Sequence, residues 1–264
     1  MKPMSIIYEL YKNRGKTVCP PNYTRVNSCP LILRTTSEDL LMANVFGILK
    51  NLNPHIWLKK FLEEALKQDF SSAPLENLSF DFWKRIYPPG NMTHKEGPSE
   101  VDLIIRFDNT AILLEAKYLA PLSLSTIHCS TRNQLIRYID IAINHFLYDA
   151  ENPKEVYFVV LTATKMKPWL IKHYRNPRRI FNEVTRSSMF ADYLKACETI
   201  GKRIGWLNWE SLRNILERSK NHFLENAEQK FIDDLIKYLE HKQNEAERLR
   251  NERSINATQF SLKL

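Results

Sequence analysis

The stretch Glu100-Val101-Asp102-Leu103-Ile104-Ile105-Arg106-Phe107-Asp108-Asn109-Thr110-Ala111-Ile112-Leu113-Leu114-Glu115-Ala116-Lys117 decides the fold. Two runs dense in Ile and Leu, residues 101–107 and 110–118, flank Asp108-Asn109. That dipeptide suits a two-residue hairpin turn, because Asp and Asn tolerate the backbone such turns demand. With those two as the loop, Phe107 faces Thr110, and each step outward carries the pairing along until Asp102 meets Glu115 and Glu100 meets Lys117. Period-two alternation then places these four side chains on one face of the sheet. The opposite face carries Val101, Leu103, Ile105, Phe107, Ile112, Leu114 and Ala116 and reads as core.

On the N-terminal side, Thr35-Thr36-Ser37 followed by Glu38 and Asp39 resembles a helix start, with Leu41, Val45, Ile48 and Leu52 at helical spacing and Pro54 as its end. Residues 56–69 predict a second helix, and 78–87 a strand stopped by Pro88-Pro89-Gly90. On the C-terminal side, Arg132 to Phe146 predicts a helix with Leu135, Ile139, Ala142 and Phe146 along one stripe, and Val156 to Thr162 a buried strand. That order is an α–β crossover, as a mixed sheet requires. A short strand near 204–207, a helix from Glu210 and a last helix near 227–241 follow, and the charged chain after Asn244 is expected to be solvated or frayed. The expected class is α/β, with residues 1–34 as an extension, 35–210 as the core and 211–264 as a helical C-terminal extension.

Composition narrows the chemistry. The 264 residues are 44% hydrophobic and 26% charged, enough apolar material for one large domain or a domain with appendages. No run approaches the roughly 20 apolar residues of a membrane helix, and the first residues lack a signal-peptide core, so a cytoplasmic protein without membrane association is expected. Cys19, Cys29, Cys129 and Cys197 form no CxxC pair, and His94, His128 and His145 have no ligand spacing, which excludes a zinc finger. The few glycines are scattered and make no phosphate-cradling loop. The net charge of +8 favours a polyanionic partner.

Carboxylates brought together on the hairpin raise one another's pKa unless a cation intervenes, and a hard, oxygen-preferring ion such as Mg²⁺ or Mn²⁺ answers that need. Such an ion polarises a phosphoryl oxygen and helps generate hydroxide, while a neighbouring ammonium such as Lys117 stabilises charge built up by in-line attack. The competing reading is a plain salt-bridge network of Asp102 and Glu115 with Lys117 and Arg106. Glu100 has two readings as well, a partner that holds Lys117 charged or a member of a rim ion pair.

Glu100-Val101-Asp102, Glu115-Ala116-Lys117 and the following Arg132-Asn133-Gln134-Leu135-Ile136-Arg137-Tyr138 together resemble the PD-(D/E)XK nuclease superfamily, over about residues 35–163. The resemblance implies a restriction-endonuclease-like αβββαβ core. It also implies metal binding by Asp102, Glu115 and the carbonyl of Ala116, with Lys117 orienting water or stabilising charge. Val101 stands where the name-giving proline would be. Glu38 matches a further acidic ligand that members often place on the first helix, although its position also complements the helix dipole. Gln134 and Tyr138, four apart on one helix face, look like a QxxxY element set beside the site.

Lys165, Lys167, Lys172, Arg175, Arg178 and Arg179, interleaved with Trp169 and Tyr174, suit phosphate contacts and base stacking, and equally suit a solvated helix face. The expected function is a Mg²⁺- or Mn²⁺-dependent nuclease, with DNA ahead of RNA as substrate and defence against foreign nucleic acid as its setting by analogy. The alternative is a catalytically silent nucleic-acid-binding or assembly module of the same fold. A homodimer, as the resemblance implies, would form through the last helix, with Phe231, Ile232, Leu235, Ile236 and Leu239, unless that helix packs on its own chain; a partner protein of a defence system is the alternative expectation.

Overall fold

The computed structural model describes residues 37–88, 96–124, 132–147, 155–184, 193–223 and 225–261, with side chains as far as residue 252. The expected extension over residues 1–34, Cys19, Cys29, Cys129, His94 and His128 lie outside the described residues. Two compact units result: Leu58–Asn208 forms one, and the described residues up to Trp57 and from Trp209 onward form the other.

The first helix, α1, runs Glu38–Leu49 and is capped by Ser37, whose Oγ accepts from the Leu40 N–H at 3.2 Å. Helix α2, Pro54–Leu66, crosses the boundary between the units. The sheet is built from β1 (Ser79–Ile86), β2 (Ser99–Phe107), β3 (Thr110–Lys117), β4 (Glu155–Thr162) and β5 (Ile204–Asn208). Between β3 and β4 lies α3 (Gln134–Ile141), which continues into a π-helical turn over Ala142–Leu147. Between β4 and β5 come α4 (Trp169–Tyr174), α5 (Pro177–Glu183) and α6 (Tyr193–Lys202). Helices α7 (Trp209–Ser219) and α8 (Asn226–Ser261) close the chain.

The five strands lie in the order β1-β2-β3-β4-β5, antiparallel across β1, β2 and β3 and parallel across β3, β4 and β5. Hairpins can join antiparallel neighbours, whereas the parallel steps require the α3 and α4–α6 crossovers. This is an α/β fold with a mixed open sheet flanked by helices. Helix α3 is set by Asn133, whose side chain caps the Ile136 N–H at 3.1 Å, and its expected stripe of Leu135, Ile139, Ala142 and Phe146 is buried. It joins Ile104, Ala111 and Leu113 of the hairpin in one apolar cluster. The face expected as core, with Leu103, Ile105, Ile112 and Leu114, is buried as well, so both faces of β2 and β3 are covered.

In the other unit, Phe46 packs edge-on against Trp57 at 6.2 Å, and the Asn44 amide donates to the Tyr238 hydroxyl at 3.1 Å. Ile232, Leu235 and Leu239 of α8 are buried while Phe231 is exposed. The helix runs on to Ser261, beyond the point after Asn244 where the sequence suggests a solvated end. The charges there support it: Lys242 bonds Glu245 at 2.6 Å, and Arg248 bonds Glu252 at 2.6 Å, one helical turn apart. Among the described residues no helix is long and apolar enough to cross a membrane.

Candidate active site

The hairpin register follows the two-residue turn. Phe107 pairs with Thr110, and the ladder continues to Leu103 and Leu114. Asp108 takes a φ of +44°, the positive value a primed turn needs at its first central residue. The ladder stops at Leu103 and Leu114, short of the expected pairs Asp102 with Glu115 and Glu100 with Lys117, and a side chain enters instead: Asp102 Oδ2 accepts the backbone N–H of Ala116 at 2.8 Å. The acid thus takes up a donor on the neighbouring strand at the point where the ladder ends.

The β1 side of Asp102 is interrupted as well. Phe82 pairs with Leu103 and Lys84 with Val101, so Trp83 stands across from Asp102 without a ladder pair, at a φ of +51°. A positive φ on a bulky residue is a strained backbone, and such strain collects at functional sites. The sequence carries no signal of it.

Glu115 is 3% exposed, and three donors converge on its carboxylate. Lys117 Nζ lies 2.5 Å and Gln134 Nε2 2.6 Å from Oε1, while the Tyr138 hydroxyl lies 2.6 Å from Oε2. Gln134 also donates to the Tyr138 oxygen at 3.1 Å, and the same hydroxyl sits 2.8 Å from the Glu100 carbonyl, the other acceptor within its reach. Three donors leave one of the roughly four lone-pair positions of a carboxylate for a further partner. Burial holds the Tyr138 phenol well above its ordinary pKa, and the negative charges of Glu115 and then Asp102 add to the effect. Both carboxylates therefore act on one hydroxyl.

Glu100 pairs with Arg85 across β1 at 3.0 Å, which matches the rim reading with a partner the sequence does not suggest. Arg106 lies 3.4 Å from Asp81 and over the Phe146 ring.

The position of α3 rests on a buried ionic cluster that sequence reasoning misses. Arg132 Nη1 and Arg137 Nε each donate to Glu96 at 2.9 Å, Arg132 also pairs with Asp140, and Arg137 Nη2 donates to the Gly97 carbonyl at 2.9 Å. Burial alone would push the Glu96 carboxyl up, but the Arg137 hydrogen bond and the charges of Arg132 and Arg137 outweigh it and hold the group below the ordinary glutamate value. Burial works against the Arg132 charge, yet Asp140 and Glu96 together raise its pKa. Two cations and two anions thus bind residues 96–97 to α3. Beside them opens a cleft of about 530 Å³ lined by Arg85, Pro98, Ser99, Glu100, Gln134, Arg137 and Tyr138. Gln134 and Tyr138 belong to both the cleft and the Glu115 network.

Of the residues singled out from the sequence, Asp102, Glu115, Ala116, Lys117, Gln134 and Tyr138 come together in the sheet unit. Glu38 belongs to the other unit, in the first turn of α1 where a carboxylate complements the helix dipole. Lys165 to Arg179 follow β4 and run through α4 into α5. Among the described residues no group of three or more His, Cys, Asp or Glu side chains is placed to hold a metal ion. No family model, curated protein or solved structure matches the chain.

Proposed function

We propose that the chain is a metal-dependent phosphodiesterase of the PD-(D/E)XK type acting on nucleic acid, with its active site at the open end of the β2–β3 hairpin. The observation that carries this reading is the convergence on Glu115 of Lys117, Gln134 and Tyr138, with Asp102 bonded to the next residue, Ala116. A salt bridge alone calls for one cation and one anion, whereas here a glutamine and a tyrosine fix the orientation of the carboxylate as well.

The donor set fits Mg²⁺ or Mn²⁺, since carboxylate and carbonyl oxygens are the ligands a hard cation prefers, and Mg²⁺ commonly uses only one or two carboxylates with water filling the rest. Asp102, Glu115 and the Ala116 carbonyl would hold it. When bound, such an ion supplies Lewis-acid polarisation of the phosphoryl group and a lowered pKa for water. Lys117 places a positive charge beside the reacting phosphate and orients the water whose oxygen bonds to phosphorus as the ester P–O bond breaks. Gln134 and Tyr138 hold Glu115 in place, and the adjoining cleft admits the chain that flanks the scissile bond. Restriction or another defence against foreign nucleic acid is the setting by analogy, with DNA ahead of RNA and cytoplasmic location in keeping with it.

The silent-module reading has its own support in the lack of a three-acid group among the described residues and in a Glu115 already held by three donors. A cleavage panel of linear and circular duplex DNA, single-stranded DNA and RNA, with Mg²⁺ and with Mn²⁺, separates the two. Cleavage that disappears in Glu115→Ala and Lys117→Ala supports the enzyme; activity that survives both removes the hairpin from the mechanism. Calorimetric titration with no Mn²⁺ binding, and no cleavage of any substrate, favours the module.

A further inference from the structure

A cluster of exposed cations lies around the end of α6, on residues other than those of the hairpin. The turn Gly201–Lys202 is touched from two directions. Gln68 Nε2 donates to the Lys202 carbonyl at 3.0 Å, and a Cβ on Gly201 would lie 3.3 Å from the Tyr174 carbonyl and 3.4 Å from that of Arg175. The chain after α2 and the end of α4 therefore meet at one place, bringing Lys67 toward Lys172, Arg175 and Lys202 although they are far apart in sequence. All four are exposed. None of them, nor Lys167, forms an ion pair among the described residues, although Arg132, Arg137, Arg203 and Lys220 all do. Burial first, and then the charges of Arg175, Lys172 and Lys67, hold the Lys167 ammonium below its ordinary pKa.

Lys67 adds an independent sign of demand. It follows the last residue of α2 and takes a φ of +59°, the left-handed position where glycine is favoured, while its N–H closes the helix on the Glu63 carbonyl at 2.9 Å. A lysine there carries a backbone penalty with no salt bridge in return among the described residues. Trp169, 57% exposed, stands beside these cations with its edge against the His173 ring at 5.4 Å. A cluster of cations without ion pairs among the described residues, with an exposed indole, suits a phosphate backbone and a stacked base. Met166 and Trp169 alone offer too little apolar area for a membrane-binding face, which needs a continuous apolar stripe.

We propose that Lys67, Lys167, Lys172, Arg175 and Lys202, with Trp169, form a binding surface for single-stranded nucleic acid. It shares with the proposed function only the class of ligand and does not depend on cleavage.

The test is fluorescence anisotropy of the full chain with a labelled single-stranded DNA oligonucleotide in chelator, so that a failure of hairpin catalysis leaves the readout intact. Lys67→Glu/Lys172→Glu/Arg175→Glu is expected to weaken binding at least about tenfold and to lower the salt slope by about two, at roughly 0.7 per phosphate contact. Trp169→Phe is expected to remove most of the tryptophan quenching seen on binding. Unchanged circular dichroism certifies folding, and Lys67→Gly gives a smaller loss of affinity without charge reversal. Equal affinity of the triple variant and the parent overturns the proposal. So does capture by vesicles of three parts phosphatidylcholine to one part phosphatidylserine with no oligonucleotide binding.

Discussion

Trp83 stands across from Asp102 in the β1–β2 register, and it is the residue the ladder passes over between Phe82↔Leu103 and Lys84↔Val101. Its φ of +51° shows that the backbone turns away from regular strand geometry beside the acid. On the other side, Asp102 reaches past the end of the β2–β3 ladder to the Ala116 N–H. Regular pairing on both flanks would occupy this part of the sheet with ladder hydrogen bonds. Its interruption leaves a carboxylate at a break between strands, next to a second one on Glu115.

The Tyr138 hydroxyl contributes to that arrangement through Glu115. Tyr138→Phe removes the donor 2.6 Å from Glu115 Oε2 and takes an acceptor from Gln134 while leaving the ring in place. Loss of such an orienting partner is expected to lower metal affinity or cleavage by about 10–100-fold. Calorimetry with Mn²⁺ and single-turnover cleavage measure the two separately. Because the phenol is held well above its ordinary pKa, ionisation of Tyr138 should produce no alkaline limb in the parent profile below the usual tyrosine range. A parent-like variant would leave Tyr138 as packing alone.

Glu96 makes an acid-side prediction. Its carboxyl is held below the ordinary glutamate value, so the stability it contributes is present above that ordinary value and is lost as pH falls through the lower folded one. Glu96→Gln leaves Arg132 and Arg137 with less compensation and is expected to cost about 3 kcal/mol near neutrality, as breaking a buried pair does. The variant should also lose less stability than the parent between neutral and acid pH. Urea midpoints at several pH values report both effects, and parallel curves for the two proteins would remove Glu96 from the acid transition.

Gly205 in β5 tests how closely α2 approaches the sheet. A Cβ there would lie 2.6 Å from the Ala65 carbonyl oxygen and 2.9 Å from Leu66 Cδ2. The first contact is with backbone and cannot be relieved by a rotamer change. Gly205→Ala is expected to cost about 1–3 kcal/mol, seen as a lower urea midpoint with little change in slope. An unchanged midpoint would mean that α2 moves away at little cost.

The hairpin was legible because a turn dipeptide and a two-residue period fix register together; the i, i+4 spacing of Gln134 and Tyr138 showed only that they share a helix face, and their place beside Glu115 came from the resemblance. The interruption opposite Trp83 was not, since nothing local marks a tryptophan for positive φ. The Glu96–Arg132–Arg137–Asp140 cluster was hidden because Glu96 lies 36 or more residues before its partners, and nothing local marks these four side chains as a group. Helix α6 escaped notice because its buried positions include the small residues Ala196, Cys197 and Gly201, which give a weak apolar stripe. The tail after Asn244 read as solvated, and Glu247, Arg248, Asn251 and Glu252 are exposed, but the one-turn spacing of its charges, which keeps it helical, went unread.

Lys67 separates stability from binding in a single substitution. At a φ of +59° a lysine carries the steric cost of a left-handed residue, about 1–2 kcal/mol, part of which glycine would return to the greater freedom of its unfolded chain. Lys67→Gly is therefore expected to stabilise the protein by about 0.5–1 kcal/mol. The same change removes one cation from the α6 surface and should weaken oligonucleotide binding about two- to fivefold at moderate salt, with a salt slope lower by about 0.7. Higher stability with weaker binding is the signature of a residue kept at a structural cost for its charge. A stabilised variant that binds as well as the parent would assign Lys67 no part in binding, and a destabilised one would show that its aliphatic stem packs usefully after all.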